Sequence, residues 1–202
     1  VVYEQSSGQE FRFTPEGPTV QPAEWKAALD FIELLDFDYV IASGSIPRGA
    51  PEDVYARLSV MTKRRGARMV LDTSGPALAA ALEEGVYMAK PSRGEFAALM
   101  GRDLEDAGEL EEAAREIVAA GGVEILTVTL GHDGALLATR DGITWLKTPE
   151  VTAKSAVGAG DSFVAGMTHG LSTDESVPRS FALGVAAGTA TVLTSGTELC
   201  HK

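Results

Sequence analysis

The chain has 202 residues, 45% of them hydrophobic and 23% charged, enough apolar material for one ordinary globular core and unlike a disordered composition. Seventeen basic residues against 29 acidic ones leave a net charge of −12, which repels a phosphate backbone and argues against nucleic-acid binding. The single cysteine, Cys200, excludes a disulfide framework and a cysteine metal cluster, and no apolar run has membrane length.

Val1-Val2-Tyr3 opens directly in strand-like sequence without an initiating Met. The chain therefore reads as a fragment of a longer protein, and the lack of a signal-like start points to a cytoplasmic location. Val1 to Thr14 reads as two short strands around Ser6-Ser7-Gly8, with Tyr3, Phe11 and Phe13 giving an apolar face that needs a partner. From Pro22 onward helices and strands alternate. Helices are expected over Ala23 to Leu35, Pro51 to Gly66, Pro76 to Glu84, Glu95 to Met100 and Leu110 to Ala120. Strands are expected at Tyr39 to Ala42, Arg68 to Asp72, Tyr87 to Ala89 and Glu124 to Thr129. An antiparallel pair, Ala135 to Thr139 and Thr144 to Lys147, turns through Asp141-Gly142, and helices from Gly160 and from about Glu175 finish the chain.

Strands separated by helices imply an α/β fold with a mostly parallel sheet covered on both faces, because a parallel connection must be long enough to hold a helix. Such sheets bind ligands at the carboxyl ends of their strands. The expected organisation is a short β segment over residues 1–20 and an α/β domain over 21–202.

Val157-Gly158-Ala159-Gly160-Asp161-Ser162 precedes an apolar helical start. Small residues let a backbone approach a ligand closely, and amides at a helix N-terminus favour an anion. A carboxylate beside such a turn can take the proton of an attacking hydroxyl while the amides stabilise a transferring phosphoryl group. Asp is also a preferred helix cap, so residue physics alone leaves Asp161 balanced between the two roles. No Gly-x-x-x-x-Gly-Lys-Ser/Thr loop occurs, and Phe163 stands where a dinucleotide fingerprint needs its third glycine.

The run Val157 to Ser162 resembles the most specific signature of the phosphofructokinase-B family of sugar kinases, which have the ribokinase-like fold. Ala42-Ser43-Gly44-Ser45-Ile46-Pro47-Arg48-Gly49 resembles the family's Ser-Gly-Ser-Leu-Pro-Pro-Gly loop, and Leu71 to Gly75 the strand end that follows it. Lys90-Pro91-Ser92-Arg93-Gly94-Glu95 resembles Lys-Pro-Asn-x-x-Glu, and Thr129 to Ala135 resembles Ser-Leu-Gly-x-x-Gly-Ala. Gly184 to Gly188 with Gly196 to Cys200 is similar to the minor bacterial 6-phosphofructokinase type within that family.

The resemblance implies roles residue by residue. Asp161 would be the catalytic base, with the amides of Gly158, Ala159 and Gly160 as the anion hole. Gly44 and Ser45 would sit near the sugar phosphate. Lys90 would lie by the nucleotide phosphates, and Glu95 would order Mg2+ through water. A solvated helix-start carboxylate explains Glu95 equally well. Thr129, Gly131 and Gly134 would border the nucleotide, or serve only a hairpin turn. Ala187, Gly188 and Ser195 would flank the adenine, although Ala and Gly on a helix also permit close packing. Ser92 replaces the usual Asn, and Ala156 a frequent Thr.

The implied reaction is ATP-dependent phosphorylation of fructose 6-phosphate at its 1-hydroxyl, with Mg2+ as cofactor and K+ as a second candidate cation. Fructose 1-phosphate and tagatose 6-phosphate are alternative acceptors, and a non-catalytic nucleotide-binding or dimerising fragment is a third reading. Lid strands of two subunits commonly pack together in this family, so the resemblance implies that residues 1–20 are a partial β lid and that the protein is a homodimer. His132, His169 and His201 have no metal spacing, and Trp25 and Trp145 read as packing residues.

Overall fold

The structure, a computed structural model, describes residues 2–4, 6, 7, 9–11, 13, 15 and 17–196. Parts of the expected hairpin (Val1, Gly8, Thr14 and the Tyr3 side chain) lie outside the described residues, as do Cys200 and His201. The chain forms two compact units: Pro18–Gly131 with Ala135–Trp145, and Val1–Gly17 with His132–Gly134 and Leu146–Lys202.

The first unit is built on a six-stranded sheet with strands in chain order. Strands β3 (Tyr39–Ser43), β4 (Arg68–Asp72), β5 (Val86–Ala89) and β6 (Val123–Thr129) pair in parallel, and β7 (Ala135–Thr139) joins β6 antiparallel. Strand β8 (Gly142–Leu146) closes the order beside β7. Met69, Val70 and Leu71 are all buried, as expected for a central parallel strand covered on both faces. Helix α1 (Pro22–Leu34) precedes the sheet, and α2 (Val54–Arg64), α3 (Gly75–Glu84), α4 (Arg93–Met100) and α5 (Ala107–Ala119) supply the crossovers. Leu58, Leu78, Phe96, Leu110 and Val118 from these helices join Leu71, Leu126 and Val128 of the sheet in one core.

Two helix starts differ from the sequence expectation for local reasons. Pro51 lies before α2 and not in its first turn: Val54 N–H donates to Pro51 O at 3.2 Å and Asp53 is the N-cap. Helix α5 begins three residues early because the Asp106 carboxylate accepts from Gly108 N–H at 2.7 Å and Glu109 N–H at 3.3 Å.

In the second unit β1 (Val2–Glu4) and β2 (Gln9–Phe11) form an antiparallel pair, with Val2, Phe11 and Phe13 exposed. Helices α6 (Ala159–Ser172) and α7 (Val177–Val192) meet along glycines. A Cβ on Gly166 would stand 2.8 Å from Leu183 O, and one on Gly184 would stand 3.0 Å from Phe163 O. Backbones this close bring Phe163 and Phe181 edge to face at 6.1 Å. No helix among the described residues is long and apolar enough to cross a membrane.

Candidate active site

In the first unit, parallel pairing sets the carboxyl ends of β3 to β6 along one edge, where most of the resemblance's residues follow. Gly44 comes immediately after β3 with φ +95°, a conformation that favours glycine. Its N–H donates to Asp72 O at 2.9 Å, and its carbonyl accepts from Thr73 Oγ1 at 2.8 Å and Tyr55 Oη at 3.1 Å. Ser45 is exposed at the next position. Further along the loop, Gly49 has φ +89°, and a Cβ there would stand 2.1 Å from Val20 O. Val20 N–H also donates to Arg48 O at 2.7 Å, so the loop is held at both ends.

Lys90 follows β5 directly, and its ammonium lies 3.0 Å from Asp72 Oδ1 at the end of β4, with only 6% and 16% of the two side chains exposed. The alignment follows from strand register: Leu71 pairs with Ala89, and Lys90 N–H donates to Leu71 O at 3.0 Å. Sequence reasoning read Lys90 as a phosphate neighbour and overlooked its carboxylate partner. Asp72 lay inside a quoted segment, but nothing local marks a pair formed across two strands.

Glu95 is a capping residue. Ser92 N–H and Ser92 Oγ both donate to Glu95 Oε2, at 2.7 and 2.8 Å, and Glu95 N–H donates back to Ser92 Oγ at 3.3 Å. This is the reciprocal Ser-x-x-Glu box at the start of α4. The spacing was readable in the sequence. Both donated bonds fall on one carboxylate oxygen, Oε2. Among the described residues no three His, Cys, Asp or Glu side chains converge on a metal position. Mg2+ at a nucleotide is ordinarily held by one or two carboxylates with phosphates and water, so a single half-free carboxylate fits that chemistry. Thr129 continues the β5–β6 pairing: its N–H donates to Pro91 O at 3.1 Å, and it bridges Ser92 in parallel. Gly131 starts a single 3₁₀ turn through Asp133, and His132 in that turn is exposed.

The second unit carries the glycine turn. Gly158 is the N-cap of α6 in the left-handed region, φ +79°, and has no side chain to cap with. Ala159, Gly160 and Asp161 are the first three helical residues, ahead of the first i to i−4 bond from Ser162 N–H to Gly158 O at 2.9 Å. Asp161 is exposed, and among the described residues no hydrogen bond or ion pair engages its carboxylate. Gly158, not Asp161, thus occupies the N-cap position. Upstream, Lys154 N–H donates to Val192 O at 2.7 Å, and Val157 N–H donates to Ser155 Oγ at 3.2 Å, tying the entry of the turn to the end of α7.

Ala187 and Gly188 lie where α7 crosses α6. A Cβ on Gly188 would stand 3.1 Å from Ala159 O, and Ala187 Cβ would stand 2.9 Å from a Cβ on Gly166. Both small residues thus serve helix packing. Ser195 is exposed beyond the end of α7. Gly134, φ +107°, runs against Leu146, where a Cβ would stand 1.9 Å from the carbonyl oxygen, so glycine is required there on packing grounds alone.

Comparison with known proteins places these features in one lineage. Residues 2–202 match the pfkB family carbohydrate kinases. The ATP-dependent 6-phosphofructokinase isozyme 2 of Mycobacterium tuberculosis is 38% identical over 203 residues, covering 100% of this chain and 60% of that protein. The 1-phosphofructokinase of Bacillus subtilis is 34% identical over 195 residues, covering 95% of this chain and 64% of that protein. The crystal structure of phosphofructokinase-2 from Escherichia coli in complex with potassium superposes with a TM-score of 0.93 at 34% identity, covering 98% of this chain and 65% of that one. The chain belongs to the PfkB family of carbohydrate kinases and has its ribokinase-like α/β fold. It spans 60–65% of the length of the curated relatives it matches first.

Proposed function

We propose that the protein to which this chain belongs transfers the terminal phosphoryl group of ATP to the 1-hydroxyl of fructose 6-phosphate, giving fructose 1,6-bisphosphate and ADP. The observation that carries the reading is the start of α6: an exposed carboxylate on its third residue, behind a left-handed glycine cap that leaves Asp161 no capping duty. Asp161 takes the proton of the attacking hydroxyl, and the amides of Gly158, Ala159 and Gly160 stabilise charge on the phosphoryl group. Gly44 and Ser45 hold the acceptor, while Lys90, Thr129, Gly131, Gly134, Ala187, Gly188 and Ser195 serve the nucleotide. Bound Mg2+ would neutralise phosphate charge, and Glu95 is the carboxylate that would hold it through water. The potassium in complex with the Escherichia coli phosphofructokinase-2 supports K+ as a second cation.

The 1-phosphofructokinase relative, at 34% identity, favours fructose 1-phosphate as the alternative acceptor, with tagatose 6-phosphate a further one. An ADP-release assay with all three sugars on the natural full-length protein decides among them. Turnover of fructose 6-phosphate at the highest kcat/KM is the expected result. ATP binding without turnover of any sugar would favour a nucleotide-binding or dimerising role for the fragment instead. The exposed Val2, Phe11 and Phe13 support a homodimer through the lid strands over residues 1–20. A cytoplasmic location goes with these substrates.

A further inference from the structure

The peptide joining Gly44 to Ser45 is held more firmly than its exposed position requires. Two side-chain hydroxyls from different elements converge on its one carbonyl oxygen: Thr73 Oγ1, just past β4, at 2.8 Å, and Tyr55 Oη, in the first turn of α2, at 3.1 Å. The preceding peptide is fixed as well. Tyr55 Oη reaches Ser43 O at 3.4 Å, and Gly44 N–H donates to Asp72 O at 2.9 Å. A trans peptide is planar, with its N–H opposite its C=O. Pinning the Gly44 carbonyl toward Thr73 and Tyr55 therefore turns the Ser45 N–H away from them. Ser45 thus offers an N–H whose direction is set by two residues distant from it in sequence, with its own hydroxyl beside that N–H as a second donor. Paired donors of fixed direction suit a phosphate oxygen, which accepts best from groups that need no reorganisation.

We infer that Tyr55 and Thr73 are positioning residues for the acceptor's own phosphate, acting through the Gly44 carbonyl on the donors of Ser45. The inference rests on the reading that Gly44 and Ser45 hold the phosphorylated sugar. It extends that reading to two residues outside the loop, each contributing a single hydroxyl. Neither need touch substrate. Glycine at position 44 completes the arrangement, because φ +95° admits the turn at no steric cost.

The test uses Tyr55→Phe and Thr73→Val in the natural full-length protein, with KM measured separately for phosphosugar and for ATP. Thr73→Val removes one neutral hydrogen bond and Tyr55→Phe the hydroxyl shared between Gly44 O and Ser43 O, and each should raise KM for the phosphosugar about three- to tenfold, leaving KM for ATP and kcat within about twofold. The double variant should exceed the product of the two, since each hydroxyl covers for the other on the shared oxygen. Thr73→Ser keeps the hydroxyl and should restore KM. Thermal midpoints are recorded alongside. If both KM values move together with the midpoint, or neither moves, the hydroxyls are structural and the inference is overturned. If the unmodified protein binds no ATP and turns over no phosphosugar, the functional reading itself fails and takes this inference with it, a result already visible before any substitution.

Discussion

The hydroxyls of Thr191 and Ser162 are hydrogen-bonded at 2.6 Å, so the last turn of α7 holds the residue next to Asp161. Thr191 Oγ1 also reaches Ala187 O at 3.0 Å, and Gly188 sits against Ala159 O. The first turn of α6 is thus set from α7 by a hydroxyl pair and a glycine. An exposed carboxylate on a helix start fixed in this way can hold one position without capping anything.

Asp161→Asn keeps shape and removes the charge that accepts a proton. Turnover in the full-length enzyme should fall by roughly 10²–10⁴, the ordinary reach of general-base catalysis, with ATP affinity unchanged. Steady-state kinetics and calorimetric nucleotide titration check the two halves separately. Undiminished turnover would sink the assignment of Asp161 as base.

Gly166 lies in the middle of α6 and Gly94 in the first turn of α4, but only Gly166 of the two faces another backbone. A Cβ at 166 meets Leu183 O at 2.8 Å and Ala187 Cβ at 2.9 Å, whereas nothing lies within 4 Å of a Cβ at 94. Alanine gains about 1 kcal/mol over glycine in a helix, while overpacking costs roughly 1–3 kcal/mol. Gly94→Ala should therefore stabilise by about 0.5–1 kcal/mol, and Gly166→Ala should destabilise on balance. Urea unfolding of the two variants gives the comparison, and equal shifts would mean that the seam relaxes freely.

Much of this arrangement was legible in the sequence. The order of elements and the glycine turn at α6 follow from hydrophobic period and from Gly158-Ala159-Gly160-Asp161, both local signals. What escaped was relational. Asp72 with Lys90, Thr73 and Tyr55 with Gly44, and Thr191 with Ser162 join residues 11 to 29 positions apart across different elements. No spacing rule connects them. The capping box at Ser92 and Glu95 was within reach, since three-residue spacing is its own signature, but the resemblance to a metal-ordering motif drew the reading elsewhere.

The Lys90–Asp72 pair is nearly enclosed, so removing one partner leaves a charge in a poorly solvated place. Either Lys90→Met or Asp72→Leu alone should cost about 3–5 kcal/mol, whereas the two combined should cost much less than the sum of the single changes. A double-mutant cycle in urea measures the coupling. Strict additivity would mean that water reaches the pair and that the burial seen here does not hold in solution.

At the alkaline end, two tyrosines decide the direction of change. Burial raises the hydroxyl of Tyr55 above its ordinary value near 10. Burial also leads at Tyr87, opposed by the Arg68 guanidinium, which lies 4.9 Å from the ring and lowers it, and reinforced by Tyr39 and Glu124. A folded-state value above the unfolded one means that the neutral form is favoured on folding. The associated stability is complete below pH 10 and is lost as pH rises through the folded values. Absorbance near 295 nm should show Tyr55 and Tyr87 ionising late, and the thermal midpoint should begin to fall above about pH 10. Tyr87→Phe should remove part of that fall. A titration in which every tyrosine ionises together at its ordinary value would contradict the burial of both hydroxyls.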